Sequence, residues 1–358
     1  MPDLREVYDM ITDQRPPATG ALERQRDRQH RSVRNRKLGT IAMSAGLVVA
    51  AILAVVLAGT DATDRGTNTN EPADRRTVSS GPGAYLFDLD TGQSTQLGGI
   101  ESPGFLSPWI AVSRDGTRVA YVGNDPVGRL VIYVANADGT NVRPLERTAR
   151  FGAAVGPAFS PDGSQIVFQA KGTGNVGNLV GDVFVVDVAT GATTRVADLE
   201  PAYSDLWYMG PHFGPDGQMI FFTLPRTPSA SQGWDLWSVP VSGGTPELVL
   251  RGAIGGRISP DGRRIVYFDN ASHGNGPVGD MWLADADGSN PQRVDGVQGD
   301  VFSARWSPDG TRIAYTDGAS KSAYVVDLTT GEVTRVLQDI TDRFPEWVDD
   351  HTWVVGQS

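Results

Sequence analysis

The sequence contains no cysteine among its 358 residues. A disulfide framework, a thiolate nucleophile and a cysteine-ligated metal are therefore excluded. Histidine is scarce as well: the four residues are His30, His212, His273 and His351, and no repeated ligand spacing joins them. Metal ligands recur at characteristic spacings. We therefore expect no metal site and no other cofactor.

Positive charge is scarce beyond residue 37. Residues 1–37 carry nine Arg or Lys and six Asp or Glu, whereas residues 38–358 carry 22 basic and 36 acidic residues, a net charge of −14. Proteins that bind nucleic acid do so largely by neutralising phosphates. A domain this acidic is a poor candidate for that class, and we expect no nucleic-acid partner.

Long apolar runs are also missing, with one exception. Residues 38–59, "LGTIAMSAGLVVAAILAVVLAG", carry no charge, and as a helix they would extend roughly 33 Å, enough for a hydrocarbon core of about 30 Å. The preceding segment is rich in arginine. The positive-inside bias therefore predicts a single-pass protein of the bacterial cytoplasmic membrane with a cytoplasmic N-terminus. A cleaved signal peptide is the alternative, but its apolar stretch would be shorter.

The two segments that flank this predicted transmembrane helix differ in character. Residues 60–80 are rich in Thr, Asn, Asp and Gly, which is typical of a flexible linker. Residues 1–37 are basic, and near their start apolar side chains fall on one face of a short helix: Leu4, Val7, Tyr8 and Ile11. This face could dock on a cytoplasmic protein partner. The alternative is that the segment only sets the topology.

A short sequence unit recurs through the rest of the chain. "WSPDGTRIAYT" at 306–316 has near-copies at 112–122, 159–169, 213–223 and 258–268, and a degenerate one at 347–357. Asp and Gly in the middle of each copy are turn residues, and alternating β-branched or aromatic residues follow. Each copy therefore predicts a strand, a tight turn and a second strand, so these aspartates have a structural role.

A second predicted hairpin alternates with the first. It occurs six times, from "GAYLFDLDTGQSTQL" at 83–97 to "SAYVVDLTTGEVTRV" at 322–336. Six pairs of hairpins predict an all-β, six-bladed β-propeller with four-stranded blades. The chain begins with the second type and ends with the first. We therefore expect residues 83–97 to pair with 345–357 and close the ring.

These units resemble the WD40-like PD40 repeats of the TolB-like six-bladed propellers. The resemblance covers residues 81–358 and rests on "SPDG-x-x-I-x-Y/F" followed by an apolar residue and "D-x-x-T/D-G". From the sequence we expect no counterpart of the α/β domain that neighbours the propeller in TolB. The resemblance implies the fold, but propellers of this kind serve as binding platforms, sensors and enzyme domains.

Signals for catalysis are weak. No G-x-S-x-G nucleophile motif accompanies the propeller, as a hydrolase would require. "GTGNVG" at 172–177 lies between predicted strands rather than before a helix, so we interpret it as a loop. Some TolB-like lyases hold a metal with clustered histidines, but the histidines here fall in different repeats. We assign no catalytic residue.

One position of the repeat is occupied by a polar or charged residue in four of the six copies. We call it the inner position: two residues before the serine of each copy, on the strand predicted to lie nearest the propeller axis. It is occupied by Ala111, Ala158, His212, Arg257, Arg305 and Glu346. The last four could form a ligand site in the central channel. The alternative is ion pairing between blades, since Arg305 and Glu346 are neighbours by repeat position.

The variable loops offer a second candidate site. They are predicted to emerge on one face of the disc, opposite the Asp-Gly turns, and variable loops on a rigid scaffold often carry binding. Four aromatic residues there are candidate anchors: Tyr203, Trp207, Tyr208 and Trp234. Packing between blades is the alternative for these side chains.

Together these observations favour a non-catalytic binding platform or sensor outside the membrane, with a protein, peptide or envelope polymer as its partner. The first alternative is a signalling regulator that acts through residues 1–37. Its layout resembles that of membrane-bound anti-sigma factors, although the histidine–cysteine zinc signature is missing. The second alternative is a propeller lyase or hydrolase.

Overall fold

The structure is a computed structural model. It describes residues 83–97, 110–151, 154–170, 181–199, 210–226, 233–269, 279–297, 301–318, 320–338, 340 and 345–357. The predicted segments 1–37, 38–59 and 60–80 lie outside these residues, as does the face of Leu4, Val7, Tyr8 and Ile11. No helix within the described ranges is long and apolar enough to cross a membrane.

The described residues form 24 strands in six antiparallel sheets of four, which are the six blades. Blade 1 contains β1 (Gly83–Asp88), β2 (Ser94–Gln96), β23 (Glu346–Trp347) and β24 (Thr352–Gln357). Blade 2 contains β3 (Ile110–Val112), β4 (Arg118–Asn124), β5 (Leu130–Asn136) and β6 (Arg143–Pro144). Blade 3 contains β7 (Ala154–Phe159), β8 (Gln165–Ala170), β9 (Asp182–Asp187) and β10 (Thr193–Ala197).

The other three blades have the same plan. Blade 4 contains β11 (His212–Phe213), β12 (Met219–Pro225), β13 (Trp234–Pro240) and β14 (Glu247–Arg251). Blade 5 contains β15 (Ile254–Ile258), β16 (Arg264–Phe268), β17 (Met281–Asp285) and β18 (Gln292–Arg293). Blade 6 contains β19 (Val301–Trp306), β20 (Arg312–Asp317), β21 (Ser322–Asp327) and β22 (Val333–Leu337). A 3₁₀ helix at Glu146–Phe151, which the repeats do not predict, joins blades 2 and 3.

The two ends of the propeller meet in blade 1. Its strand order is β2-β1-β24-β23, and β1 pairs with β24 from Gly83 opposite Gln357 to Asp88 opposite Thr352. The predicted ring closure is therefore confirmed. Because the first and last strands are hydrogen-bonded to each other, neither leaves an open sheet edge.

Short-range hydrogen bonds explain why the Asp-Gly segments turn. In blade 2, Ser113 Oγ donates to the Asp115 carboxylate over 2.6 Å, and the same carboxylate accepts from Thr117 N at 3.0 Å. Gly116 then takes the left-handed conformation, with φ of 69°. Asp162, Asp261 and Asp309 repeat the serine contact in other blades. These aspartates are turn residues, as the repeats predict.

The core lies between neighbouring blades. One cluster joins Ile132 of β5 to Phe168 and Phe184 of blade 3, and another joins Val183 of β9 to Phe222 of β12. Apolar side chains of each sheet are thereby buried against the next sheet. Since burial of apolar area is the main stabilising contribution in folding, each blade depends on both of its neighbours.

Candidate ligand site on the inner strands

The strand that begins each blade in repeat order is an edge strand of its sheet. These strands are β3, β7, β11, β15, β19 and β23, and contacts link β23 to β3, β3 to β7, β7 to β11, β15 to β19 and β19 to β23. Inner strands of successive blades therefore adjoin at five of the six junctions, and at the sixth β15 contacts β12 and β13 of blade 4. In a propeller this edge surrounds the central channel.

The structure places every residue of the inner position on one of these strands. Ala111, Ala158, His212, Arg257, Arg305 and Glu346 lie on β3, β7, β11, β15, β19 and β23, respectively. We call the four polar members His212, Arg257, Arg305 and Glu346 the channel cluster. They come from four consecutive blades, so residues far apart in sequence meet at one place.

A β-bulge precedes the inner position in three blades. The register shifts between Val155 and Ala158, between Ile254 and Arg257, and between Phe302 and Ala304. The residue at the bend has a positive φ each time: 63° at Gly156, 61° at Gly255 and 63° at Ser303. Bulges re-aim the side chains that follow them. Ser303 is the exception to glycine here, and a non-glycine residue with this φ stores strain.

Arg305 and Glu346 form an ion pair between blades 6 and 1. The Arg305 Nε donates to Glu346 Oε1, and the two side chains are 16% and 21% exposed. The Arg305 Nη1 also donates to Ser303 Oγ at 3.2 Å and to the Ala304 carbonyl at 3.0 Å. The ion-pair alternative is therefore realised for these two residues, and the hydrogen-bonding capacity of Arg305 is largely used within the protein.

Arg257 differs from Arg305. Within the described residues, no carboxylate pairs with its guanidinium and no acceptor receives a hydrogen bond from it. Burial and, after it, the neighbouring Arg305 lower the pKa of Arg257, Glu346 acts in the opposite direction, and the net result is a pKa of about 9. The guanidinium is nonetheless charged at neutral pH. It is a cation held without a partner of its own.

His212 lies beside the two arginines. Its ring stacks on Phe221 with 5.6 Å between centroids, and both ring nitrogens are buried with no hydrogen-bond partner among the described residues. Loss of solvation holds the pKa of His212 well below its ordinary value, and the charges of Arg257 and Arg305 lower it further. The imidazole is therefore neutral at pH 7, with one N–H donor and one acceptor nitrogen unused.

Two tryptophans that sequence reasoning missed hold the backbone of these arginines. Trp306 Nε1 donates to the Arg257 carbonyl at 3.0 Å, and Trp347 Nε1 donates to the Arg305 carbonyl at 3.1 Å. The guanidinium of Arg264 lies over the Trp306 ring, 5.0 Å from its centroid. One signal was available in the sequence, since tryptophan directly follows the inner position only in the two blades that come after an arginine blade.

Of the four candidate anchors on the variable loops, the structure describes one. Tyr203, Trp207 and Tyr208 lie outside the described residues. Trp234 begins β13, is 6% exposed and packs with Ile254 and Phe268 in the core between blades. Packing between blades, the alternative for this side chain, is therefore the interpretation that its burial supports, because the bulk of its indole fills space between blades 4 and 5.

Solved structures with the same architecture include two TolB proteins. The TolB of Agrobacterium tumefaciens is 17% identical with a TM-score of 0.58, over 78% of this chain and all of that one. The TolB of Acinetobacter baumannii is 19% identical with a TM-score of 0.57, over 74% of this chain and 66% of that one. The chain thus has the TolB-type six-bladed β-propeller fold. At these identities the likeness concerns the fold alone.

Relatives found by sequence comparison include a protein without an assigned function. An uncharacterized protein of Agrobacterium fabrum is 27% identical over 205 residues, which is 54% of this chain. The match spans 64% of that relative's length. No family model matches the chain.

Proposed function

We propose that the protein is a non-catalytic binding platform, anchored by residues 38–59 and displayed outside the bacterial cytoplasmic membrane. Its ligand is a protein, peptide or envelope polymer that places a polar group against the channel cluster. The observation that carries this proposal is the unequal pairing in the cluster: Glu346 serves Arg305, while Arg257 and His212 have no partner within the described residues.

Unpaired polar groups of this kind need a physical reason. Burying a charge without a partner is costly, and so is burying a hydrogen-bonding group that makes no bond. His212 carries the second cost, because both of its ring nitrogens are buried without a partner in the described residues. Arg257 is a half-buried charge without an ion-pair partner there, on a strand fixed by a bulge and by a tryptophan hydrogen bond. Such an arrangement is expected where an outside group completes the set when it binds.

Capture by the full chain tests the proposal. Detergent-solubilised protein is immobilised and exposed to extracts of the bacterial envelope, and retained material is identified by mass spectrometry. Arg257→Gln removes the unpaired cation, whereas Arg251→Gln removes an exposed arginine at the end of β14 and serves as the matched control. We expect the Arg257 variant to lose the specific capture and the Arg251 variant to keep it. Equal capture by both variants would contradict a channel-centred platform.

Topology needs a separate test. External protease applied to intact protoplasts is expected to release a fragment of roughly the mass of residues 81–358, because the arginine-rich segment lies before the apolar one. Protection of the propeller would overturn the orientation. The regulator alternative predicts instead a cytoplasmic partner that is lost when Tyr8 or Ile11 is replaced by Asp.

A further inference from the structure

We infer that the channel cluster binds one carboxylate at the end of a chain, namely the C-terminal residue of a peptide, with Arg257 and His212 as the binding residues. This inference rests on the proposed function and names the ligand group. Four observations support it. They are the charge balance of the cluster, the guanidinium N–H groups of Arg257 that donate to no acceptor in the described residues, the two His212 nitrogens without hydrogen-bond partners there, and the small residues at the remaining inner positions.

The charge balance favours a ligand with a single negative charge. Arg257 and Arg305 contribute two positive charges, Glu346 contributes one negative charge, and His212 is neutral beside them. The other inner positions are Ala111 and Ala158. One carboxylate therefore neutralises the cluster. A phosphate monoester, with a charge of about −1.5 to −2 at pH 7, would leave an excess of negative charge next to Glu346.

The available donors also favour a carboxylate. A guanidinium offers parallel N–H groups that match the two oxygens of a carboxylate. Those of Arg305 already serve Glu346, Ser303 and Ala304. Arg257 has no such partner within the described ranges, and its backbone is fixed by Trp306. Arg257 is therefore the arginine whose N–H groups are available to bind the carboxylate of the ligand.

His212 extends the requirement beyond the carboxylate. Its neutral ring needs an acceptor for one nitrogen and a donor for the other, and both nitrogens lack partners in the described part of the chain. A peptide end can supply both kinds of group, because its terminal carboxylate can accept from one nitrogen while the amide N–H of a preceding residue donates to the other nitrogen on the opposite side of the ring. A simple carboxylic acid would satisfy only one of the two nitrogens.

The position of the cluster favours a chain end over an internal group. The residues lie on the innermost strands, and Ala111 and Ala158 occupy the equivalent positions of two other blades. Their side chains are single methyl groups, so neither adds a charge or a hydrogen-bonding group beside the cluster. A terminal residue can enter along the channel from one face, whereas a carboxylate in the middle of a polymer would have to bring two chain segments with it.

Two peptide pools test the inference on the full chain in detergent. Both are octapeptides with a fluorescent dye at the N-terminus and randomised last three positions, and one pool ends in a free carboxylate while the other ends in an amide. We expect the free-acid pool to raise fluorescence anisotropy at concentrations at least tenfold lower than the amidated pool. Loss of one charge-assisted pair accounts for about this factor.

Three variants locate the effect. Arg257→Gln is expected to abolish the difference between the pools, Arg257→Lys to reduce it because the paired donors are lost, and Arg251→Gln to leave it unchanged. Thermal melts of each variant confirm folding. Competition with inorganic phosphate and with galacturonate identifies the class of anion, and we expect both to displace the free-acid pool poorly.

The inference is overturned if the pools bind alike, if neither binds, if the preference survives in Arg257→Gln, or if phosphate or galacturonate displaces the peptides at equal concentration. The proposed function is judged separately by capture from envelope extracts. Arg257-dependent capture together with equal pool binding would therefore reject the carboxylate and retain the platform.

Discussion

The indole Nε1 of Trp306 donates a hydrogen bond of 3.0 Å to the backbone carbonyl of Arg257, on the inner strand of the preceding blade. Trp347 does the same for Arg305 at 3.1 Å. The corresponding residues of the other blades are Val112, Phe159, Phe213 and Ile258, none of which has an indole donor. Thus a tryptophan of the next blade donates a hydrogen bond to the backbone of each of the two channel arginines. Packing between blades is thereby linked to the geometry of the candidate site.

Replacement of Trp306 tests this link. Trp306→Phe keeps most of the buried ring but leaves the Arg257 carbonyl without its donor, and we expect a loss of about 1–3 kcal/mol in the free energy of unfolding. Trp282→Phe is the matched control, because the Trp282 indole nitrogen has no partner within the described residues. Urea titration of both variants measures the difference. An equal loss in the two would show that the hydrogen bond contributes nothing.

The Arg305–Glu346 pair gives a second prediction. Glu346→Gln leaves Arg305 facing Arg257 without its carboxylate, and we expect a destabilisation of about 1–3 kcal/mol, below the range for fully buried pairs because both side chains are partly exposed. The double variant Arg305→Met with Glu346→Met removes both charges and should be more stable than Glu346→Gln alone. If the double variant is the less stable one in urea titration, the pair is itself a net source of stability.

Two glycines with similar φ allow a steric prediction. Gly156 has φ of 63° and Gly191 has φ of 68°. A Cβ at Gly156 would lie 2.7 Å from the Gly210 Cα, whereas a Cβ at Gly191 meets no atom within 4 Å. Gly191→Ala should therefore cost about 1–2 kcal/mol from backbone strain alone. Gly156→Ala should cost about 1–3 kcal/mol more, because β7 and the chain entering β11 must move apart. Equal melting temperatures would show that this contact relaxes freely.

Much of the fold could be predicted from the sequence because the blade is a local unit. Each hairpin joins residues close in sequence, and its Asp-Gly turn and alternating pattern are visible in every copy. Ring closure follows from the order of the hairpins, as the pairing of Leu86 with Val354 confirms. The inner position could also be predicted from the sequence, since equal spacing from the turn puts Arg257 and Arg305 at equivalent places on their strands.

Contacts between blades were harder to predict. The hydrogen bond from Trp306 to Arg257 depends on how two sheets pack, and repeat spacing does not encode that distance. Trp234 shows the same limit: its place after a variable loop suggested exposure, but the adjoining blade buries it. The bulge before Arg305 was hidden because Ser303 adopts a positive φ without being a glycine.

The turn aspartates make the stability of the fold depend on pH, and Asp327 is an example. Hydrogen bonds from the Thr329 hydroxyl and from the Thr330 and Thr329 amides lower its pKa from 3.8 to about 2. A carboxyl whose pKa is lower in the folded state contributes stability above about pH 4 and loses it as the pH falls toward 2. Melting temperatures between pH 5 and pH 2.5 should therefore fall less steeply for Asp327→Asn, and also for Thr329→Val, than for wild type. Parallel curves would contradict this assignment.

The last prediction concerns closure of the ring. Phe87 lies on β1, is fully buried, and pairs with Trp353 on the last strand of the chain. Phe87→Ala leaves a cavity where the two ends meet, and we expect it to cost about 3–5 kcal/mol. Because every blade packs on two neighbours, the loss should lower a single transition seen at the same temperature by far-ultraviolet circular dichroism and by tryptophan fluorescence. Val127→Ala, at a side chain that is 74% exposed, is the control and should melt like wild type. An early partial transition in Phe87→Ala, with the main transition unshifted, would mean that blade 1 unfolds alone and that closure does not stabilise the other five blades.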